Sequence, residues 1–200
     1  MSARDDILAS IRSRRLAQTS RPAVYRAPPT EGDLAESFAK KIAAQYSDVR
    51  MLDSMADVPE AVADILRGRN MAAQVHIPAD SELAVLDLPN VEVKREPPGQ
   101  FDAAVTSASF AIAETGTLAY AAGKSNPASW HFRPVLEIAI VRPGAVVAEL
   151  EDVLSALRAT GGLPSTLNLV SGPSRTGDIE QTMELGAHGP KALAVLVLKN

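Results

Sequence analysis

The run Ala192–Leu198 reads ALAVLVL and is apolar throughout. A short apolar run of this kind is typical of a strand that is buried inside a sheet. The run Leu136–Val141 has a similar character and predicts a second apolar strand. The chain must therefore build a buried sheet and supply other elements to cover it.

Helical and strand patterns alternate along most of the chain. Apolar spacing predicts helices over Val58–Leu66, Glu149–Ala159 and Asp178–Leu185. Short apolar runs that punctuate these helices fall at Val49–Leu52, Ala72–Ile77, Glu82–Leu86, Val91–Val93 and Thr166–Val170. The alternation predicts an α/β domain over residues 49–200.

Residues 1–48 are predicted to form a helical arm with a linker. Ile7 and Ile11 recur at helical spacing, and Leu34, Phe38 and Ile42 stand four residues apart in a second helix. Prolines between the two helices predict an extended connection. Because a two-helix arm buries little surface by itself, we expect it to pack on the body, on a second copy in a homodimer, or on a partner chain.

Composition narrows the class of protein. Apolar residues make up 46% of the chain and charged residues 22%, which is typical of a soluble globular protein. No apolar run reaches the roughly 18 residues that a membrane span needs, and the N-terminus lacks the features of a signal peptide, so we expect a cytoplasmic protein without a membrane span. The net charge of −4 argues against nucleic acid as the main partner.

The chain contains no cysteine and only three scattered histidines. Iron–sulfur clusters are held by cysteine thiolates, and structural zinc usually needs cysteine or several histidines. We therefore expect that this chain binds neither a metal ion nor an iron–sulfur cluster by itself.

A glycine-containing segment between a predicted strand and a predicted helix is the first candidate binding site. Backbone N–H groups at such a helix end favour anions, and in a parallel sheet the segment would lie at the carboxyl ends of the strands. In the alternative interpretation, Ser174 or Thr176 only caps the predicted helix, and the carboxylates of Asp178 and Glu180 offset the helix dipole. The candidate ligand-binding residues here are Gly172, Ser174, Arg175, Thr176, Asp178 and Glu180.

Glu114 is the second candidate, because it is the only charged residue between Phe110 and Tyr120. Thr115 and Gly116 predict a hairpin turn next to it. Strand alternation places Glu114 on a face where burial would suit acid–base or carboxylate chemistry. Alternatively, it is a hairpin-end residue that is solvated or bonded to the turn amides.

Two histidines complete the candidates. His131 lies in the aromatic and basic segment Trp130–Arg133, which could line a pocket or pack as a lid on the core. His188 is a candidate ligand-binding residue that follows the last predicted helix. At such a position a histidine more commonly caps the helix carbonyl groups.

Four segments resemble the LUD domain family of lactate utilization protein C. They are Phe110–Tyr120, Glu137–Val141, Leu150–Leu154 and Ser171–Pro190, of which the last is long and ordered. The segment Lys124–Arg133 departs from the glycine- and serine-rich stretch usual in the family.

The resemblance implies an open mixed sheet flanked by helices, a fold like those of ribose-phosphate isomerase, glucosamine-phosphate deaminase and the CoA transferases. It also implies a role in a system that oxidises L-lactate to pyruvate together with iron–sulfur subunits, this chain binding no cofactor of its own. The residues that match the family motifs are Glu114, Thr115 and Gly116, then Gly172, Pro173, Ser174, Arg175, Asp178, Glu180, Gly186, His188, Gly189 and Pro190.

Three functions follow as hypotheses. The first is an accessory subunit of L-lactate or related organic-acid oxidation, not catalytic alone, that binds a small anionic molecule or a partner at these two motifs. The second is a free-standing enzyme of the CoA transferase or sugar-phosphate isomerase type that uses Glu114. The third is a non-catalytic dimeric structural module.

Overall fold

The computed structural model describes residues 3–13, 32–177, 183–185 and 189–199. It contains α-helices α1 (Ala3–Ser13), α2 (Leu34–Ala44), α3 (Val58–Gly68) and α4 (Leu150–Ala159). Short 3-10 helices occupy Met55–Asp57, Glu82–Val85 and Ala128–His131. The strands are β1 (Asp48–Leu52), β2 (Gln74–His76), β3 (Glu92–Lys94), β4 (Ala103–Ser107), β5 (Phe110–Ile112), β6 (Thr117–Ala121), β7 (Leu136–Val141), β8 (Val146–Val147), β9 (Leu167–Val170), β10 (Arg175–Gly177), β11 (Met183–Leu185) and β12 (Ala192–Leu198).

The main sheet has six parallel strands in the order β1-β12-β7-β4-β2-β3. The apolar strand β12 lies between β1 and β7, with Val195 paired to Val49 on one side and to Ala139 on the other. Because β12 is paired on both edges and buried on both faces, an entirely apolar run such as Ala192–Leu198 suits this position.

Successive side chains of the central strands enter two separate cores. One face packs against α3, where Val62 and Ile65 contact the cluster that contains Ile138 and Leu196. The other face packs against α2 and the second sheet, and its cluster includes Val195. The sheet is thus covered on both sides, as a parallel sheet requires.

The second sheet has four strands in the order β8-β5-β6-β9. Strands β5 and β6 form an antiparallel hairpin, β9 pairs antiparallel with β6, and β8 runs parallel to β5. Its outer face carries Ile112 and Ala119 against Val153 and Leu157, the latter two from α4. This sheet therefore lies between α4 and the main sheet.

Helix α2 is fixed at its start by a side-chain cap. The Asp33 carboxylate accepts hydrogen bonds from the backbone N–H groups of Ala35 (2.7 Å) and Glu36 (3.2 Å). Phe38 and Ile42 are completely buried in the core that α2 shares with the second sheet. Helix α1, in contrast, has no buried residue. The boundary between arm and body at residue 48 stays a prediction.

The predicted α/β class is confirmed, with a parallel sheet flanked by helices. The hairpin in Phe110–Tyr120 and the bounds of β7 and β12 also agree with the sequence predictions. The short run Glu82–Leu86 forms a 3-10 helix over Glu82–Val85. Among the described helices, none is long and apolar enough to cross a membrane.

The predicted helix over Asp178–Leu185 is wrong at its described end. Residues Met183–Leu185 form β11, which pairs antiparallel with β10 and sets Thr176 opposite Glu184. Cross-strand hydrogen bonding has overridden the local helical pattern of the sequence there. Residues 178–182 lie outside the described part of the chain.

Candidate functional site

The turn Glu114–Gly116 rests directly on α2. Gly116 has φ +66°, and a Cβ added to it would lie 2.6 Å from the backbone nitrogen of Ile42. The Lys41 ammonium donates a hydrogen bond to the backbone oxygen of Glu114 (2.6 Å). Only glycine combines this backbone conformation with such a close approach. The turn therefore packs against α2 without room for a side chain at Gly116.

The segment Ser171–Arg175 rests on the residues that follow α2. Gly172 has φ +128°, and its added Cβ would lie 2.7 Å from the backbone oxygen of Gln45. The Arg175 guanidinium lies 3.5 Å from the centroid of the Tyr46 ring, a cation–π contact between two exposed side chains. The segment thus continues the surface that the turn begins.

A line of hydroxyl groups joins the two motif segments. The Oγ1 atoms of Thr115 and Thr117 are 2.7 Å apart, and Thr117 Oγ1 is 2.7 Å from Ser171 Oγ. Strands β6 and β9 bring them together, because Leu118 pairs with Val170 in the second sheet. We call the combined surface of Lys41–Tyr46, Glu114–Thr117 and Ser171–Arg175 the motif junction.

The motif junction lies toward the amino ends of the main strands. The backbone N–H of Ser174 donates to the oxygen of Pro190 (2.9 Å), two residues before β12 begins. The prediction that the glycine-containing segment follows a parallel strand at its carboxyl end is wrong, because β9 belongs to the second sheet and is antiparallel to β6. A strand, β10, also stands where the prediction placed the helix N-terminus.

Glu114 lies in the turn after β5 and not within a strand. The side chain is half-buried, and the backbone N–H donates to the oxygen of Ala148 (2.9 Å). This is the hairpin-end position that the alternative interpretation described. Its role in binding or catalysis stays a prediction.

His131 lies away from the motif junction, in the core between the two sheets. Its Nδ1 is 2.7 Å from Oε1 of Glu137, and the same oxygen accepts a hydrogen bond from the Thr106 hydroxyl (2.7 Å). The Tyr120 ring stacks on the imidazole at a centroid distance of 3.7 Å. Both members of the His131–Glu137 pair are fully buried. The prediction that Leu136–Val141 is an apolar strand did not account for the buried carboxylate of Glu137 within it.

Among the described residues, several polar atoms of this core have no hydrogen-bond partner. They are Nε2 of His131, Oε2 of Glu137 and Nδ2 of Asn168. Burial, and secondarily the nearby Glu137 carboxylate, raises the pKa of Tyr120 well above its ordinary value. We call His131, Glu137, Thr106 and Tyr120 the buried polar cluster. Such a cluster is sensitive to the loss of any one member.

The remaining predicted residues divide into three groups. Gly189 and Pro190 are buried, and a Cβ on Gly189 would lie 3.1 Å from Cβ of Ser174, so both residues belong with the motif junction. Thr176 lies in β10. Asp178, Glu180, Gly186 and His188 lie outside the described residues. In the part of the chain that is described, no three His, Asp or Glu side chains are grouped to hold a metal ion.

A polar cavity of about 890 Å³ was missed by the sequence analysis. It opens at the carboxyl ends of β4 and β7, and we call it the carboxyl-end crevice. Polar residues in its wall include Ser81, Glu82, Ser107, Ser109, Ser125 and Arg142. Serines near residue 107 could have indicated this crevice, but only if Ala103–Ser107 had been predicted as a strand with these serines at its carboxyl end.

Residues 35–198 match the LUD domain family. The chain therefore belongs to this family. Lactate utilization protein C of Deinococcus radiodurans is 30% identical to it over 184 residues, covering 86% of this chain and 82% of that protein.

Other relatives align over a shorter region. Lactate utilization protein C of Halalkalibacterium halodurans is 33% identical over 105 residues, which are 50% of this chain and 46% of the relative. The protein of the same name in Bacillus subtilis is 33% identical over 103 residues, 49% of this chain and 43% of the relative. In both cases the match spans less than half of the relative's length.

A crystal structure of a DUF162 family protein from Deinococcus radiodurans has the same fold. The two structures superpose with a TM-score of 0.62 at 24% sequence identity, covering 82% of this chain and 96% of the other.

Proposed function

We propose that this chain is an accessory component of an L-lactate oxidation system and that it binds a small anionic molecule or a partner protein at the motif junction. The similarity to lactate utilization protein C of Deinococcus radiodurans, which extends over 86% of this chain, supports the assignment to that system. The proposed partners are iron–sulfur proteins. Because this chain has no cysteine, a cluster in such a system would be held by another subunit.

The observation that carries the proposal is the hydrogen bond between Thr117 and Ser171. It joins two motifs separated by 54 positions in the sequence. If each motif only formed a local turn, the two would not need to contact each other or to pack at the same end of α2. The meeting of both motifs at one surface supports a shared binding role.

The charge and exposure of the motif junction favour an anionic group. Lys41 and Arg175 are exposed cationic residues on its two sides. Arg175 is held by stacking on Tyr46, which leaves its N–H donors at the edge of the guanidinium plane. A carboxylate of a small molecule, or an acidic side chain of a partner, would fit these donors.

The test is affinity purification of a tagged chain under anaerobic conditions from the native host grown on L-lactate. Iron and acid-labile sulfide in the eluate report a bound iron–sulfur partner, because the tagged chain has no cysteine ligands. We expect iron–sulfur protein with the unmodified chain and a large reduction with Arg175→Gln. Arg67→Gln is the matched control, since Arg67 is exposed on α3 and pairs with Asp64.

Two outcomes would contradict the proposal. One is the absence of iron and sulfide from the eluate of the unmodified chain. The other is equal recovery with Arg175→Gln and with the unmodified chain, which would remove the motif junction from the interaction.

A further inference from the structure

The carboxyl-end crevice lies where the connections of the main sheet diverge. Within the main sheet, the strand that follows β2 in sequence is β3, on one side, whereas the strand that follows β4, after the β5–β6 hairpin of the second sheet, is β7, on the other side. The crevice is lined by residues 80–82 after β2, residues 107–109 at the end of β4 and residues 142–145 after β7. In open α/β sheets a crevice at this topological position is the usual place for a ligand.

A fixed arginine provides the cationic group of the crevice. Oε1 of Glu82 accepts hydrogen bonds from the Ser107 hydroxyl (2.6 Å) and from Nε of Arg142 (2.5 Å). This contact engages one of the five N–H donors of the guanidinium, and the other four are on its terminal nitrogens. With about a third of its side chain exposed, 36%, Arg142 can present those donors to a molecule in the crevice.

Hydroxyl and amide groups line the same space. Ser81 Oγ accepts from the backbone N–H of Leu83 (3.2 Å), and Ser109 Oγ accepts from that of Ala121 (3.1 Å). Each hydroxyl keeps its own proton for donation. Asn126 is buried, and its Nδ2 donates to the oxygen of Ser107 (3.4 Å). These polar groups are therefore held in place before any ligand enters.

We propose that the carboxyl-end crevice binds a small organic anion that carries several hydroxyl groups. Its anionic group pairs with Arg142, and its hydroxyls bond to Ser81, Ser109 and the carboxylates of Asp80 and Glu82. A volume of about 890 Å³ admits a molecule of sugar size. The site is separate from the motif junction and does not depend on the function proposed for it.

The test is a ¹H–¹⁵N NMR titration of the full chain with D-gluconate, D-glucose 6-phosphate and sorbitol. Gluconate and sorbitol carry similar hydroxyls, but only gluconate is charged, and glucose 6-phosphate distinguishes a phosphate from a carboxylate. We expect saturable shifts of amides around Ser81, Ser109 and Arg142 with at least one of the two anions. Sorbitol should bind at least about tenfold more weakly, since it lacks the charge-assisted contact.

Variants assign the binding to the crevice. Arg142→Gln should weaken anion binding by about tenfold or more, and Ser109→Ala by about fivefold. Arg67→Gln should leave it unchanged. The dispersion of each spectrum shows whether the variant is folded, and Ser109→Ala retains the Arg142–Glu82 pair if Arg142→Gln does not fold.

The proposal is overturned if neither anion gives saturable shifts in the crevice. It is also overturned if the shifts map to the motif junction, or if sorbitol binds as tightly as gluconate and glucose 6-phosphate.

Discussion

Thr117 and Ser171 place their hydroxyl oxygens 2.7 Å apart and so connect the turn after β5 with the segment after β9. Their neighbours Gly116 and Gly172 lie against the last turn of α2 and against Gln45 directly after it, so closely that neither has room for a Cβ. Three parts of the chain that are distant in sequence thus form one surface. A change at any of them is expected to affect the other two.

Gly116→Ala tests the contact between the turn and α2. We expect it to lower the free energy of unfolding by about 2–4 kcal/mol, the sum of left-handed backbone strain and overpacking against Ile42. Gly144→Ala is the matched control, because Gly144 has φ +78° but no atom within 4 Å of an added Cβ. The Gly144→Ala substitution should lower the free energy of unfolding by only about 1 kcal/mol. Urea denaturation measures both, and equal losses would show that the close approach is unimportant.

A double-mutant cycle tests the buried His131–Glu137 pair. His131→Leu leaves the Glu137 carboxylate buried without its imidazole partner, and we expect a loss of about 3–5 kcal/mol in the free energy of unfolding. Replacing both residues by leucine should recover part of that loss, because the uncompensated charge is removed. Denaturation of the two single variants and the double variant gives the coupling. Strictly additive losses would mean that the two side chains do not interact.

The ionisation of Tyr120 predicts a dependence of stability on alkaline pH. Its pKa is raised in the folded state, so the unfolded chain releases this proton first as the pH rises. The contribution of Tyr120 is complete below the ordinary tyrosine pKa of about 10 and is lost progressively above it, by up to about 1.4 kcal/mol per pH unit. Tyr120→Phe should reduce this alkaline slope in urea denaturation series. An identical slope in both proteins would contradict the assignment.

Glu114→Gln distinguishes an accessory role from catalysis by this carboxylate. We expect extracts of a deletion strain that carries this variant to oxidise L-lactate within about twofold of the unmodified protein. Loss of a general acid–base group typically lowers a rate by about 10²–10⁴-fold. A decrease of that size at an unchanged level of protein would favour the enzyme hypothesis instead.

The sequence predicted the elements whose patterns are local. The run Ala192–Leu198 indicated a buried strand, and Gly116 in its apolar hairpin indicated a turn. Strand β4 was missed, since its alanines and hydroxyl residues resemble a loop until β2 and β7 pair with its backbone. The helix predicted to reach Leu185 was wrong because β11 forms through pairing with β10, which a helical pattern does not reveal.

The motif residues of the candidate site could be identified from the sequence, but their arrangement in space could not. The family resemblance identified the turn at Glu114–Gly116 and the segment at Ser171–Arg175, although their meeting depends on the pairing of β6 with β9. His131 was expected either to line a pocket or to pack on the core, and sequence reasoning did not indicate that it lies fully buried beside Glu137. The carboxyl-end crevice combines residues that follow three different strands, and no local pattern joins them.

The proposed function requires this chain for the oxidation of L-lactate. The most direct measurement is the rate of L-lactate consumption by the native host after deletion of the gene, with pyruvate consumption as the control. We expect that the deletion abolishes L-lactate consumption and leaves pyruvate consumption unchanged, and that a plasmid copy of the gene restores the consumption of L-lactate. If the deletion strain consumes L-lactate at an unchanged rate, the proposed function is wrong.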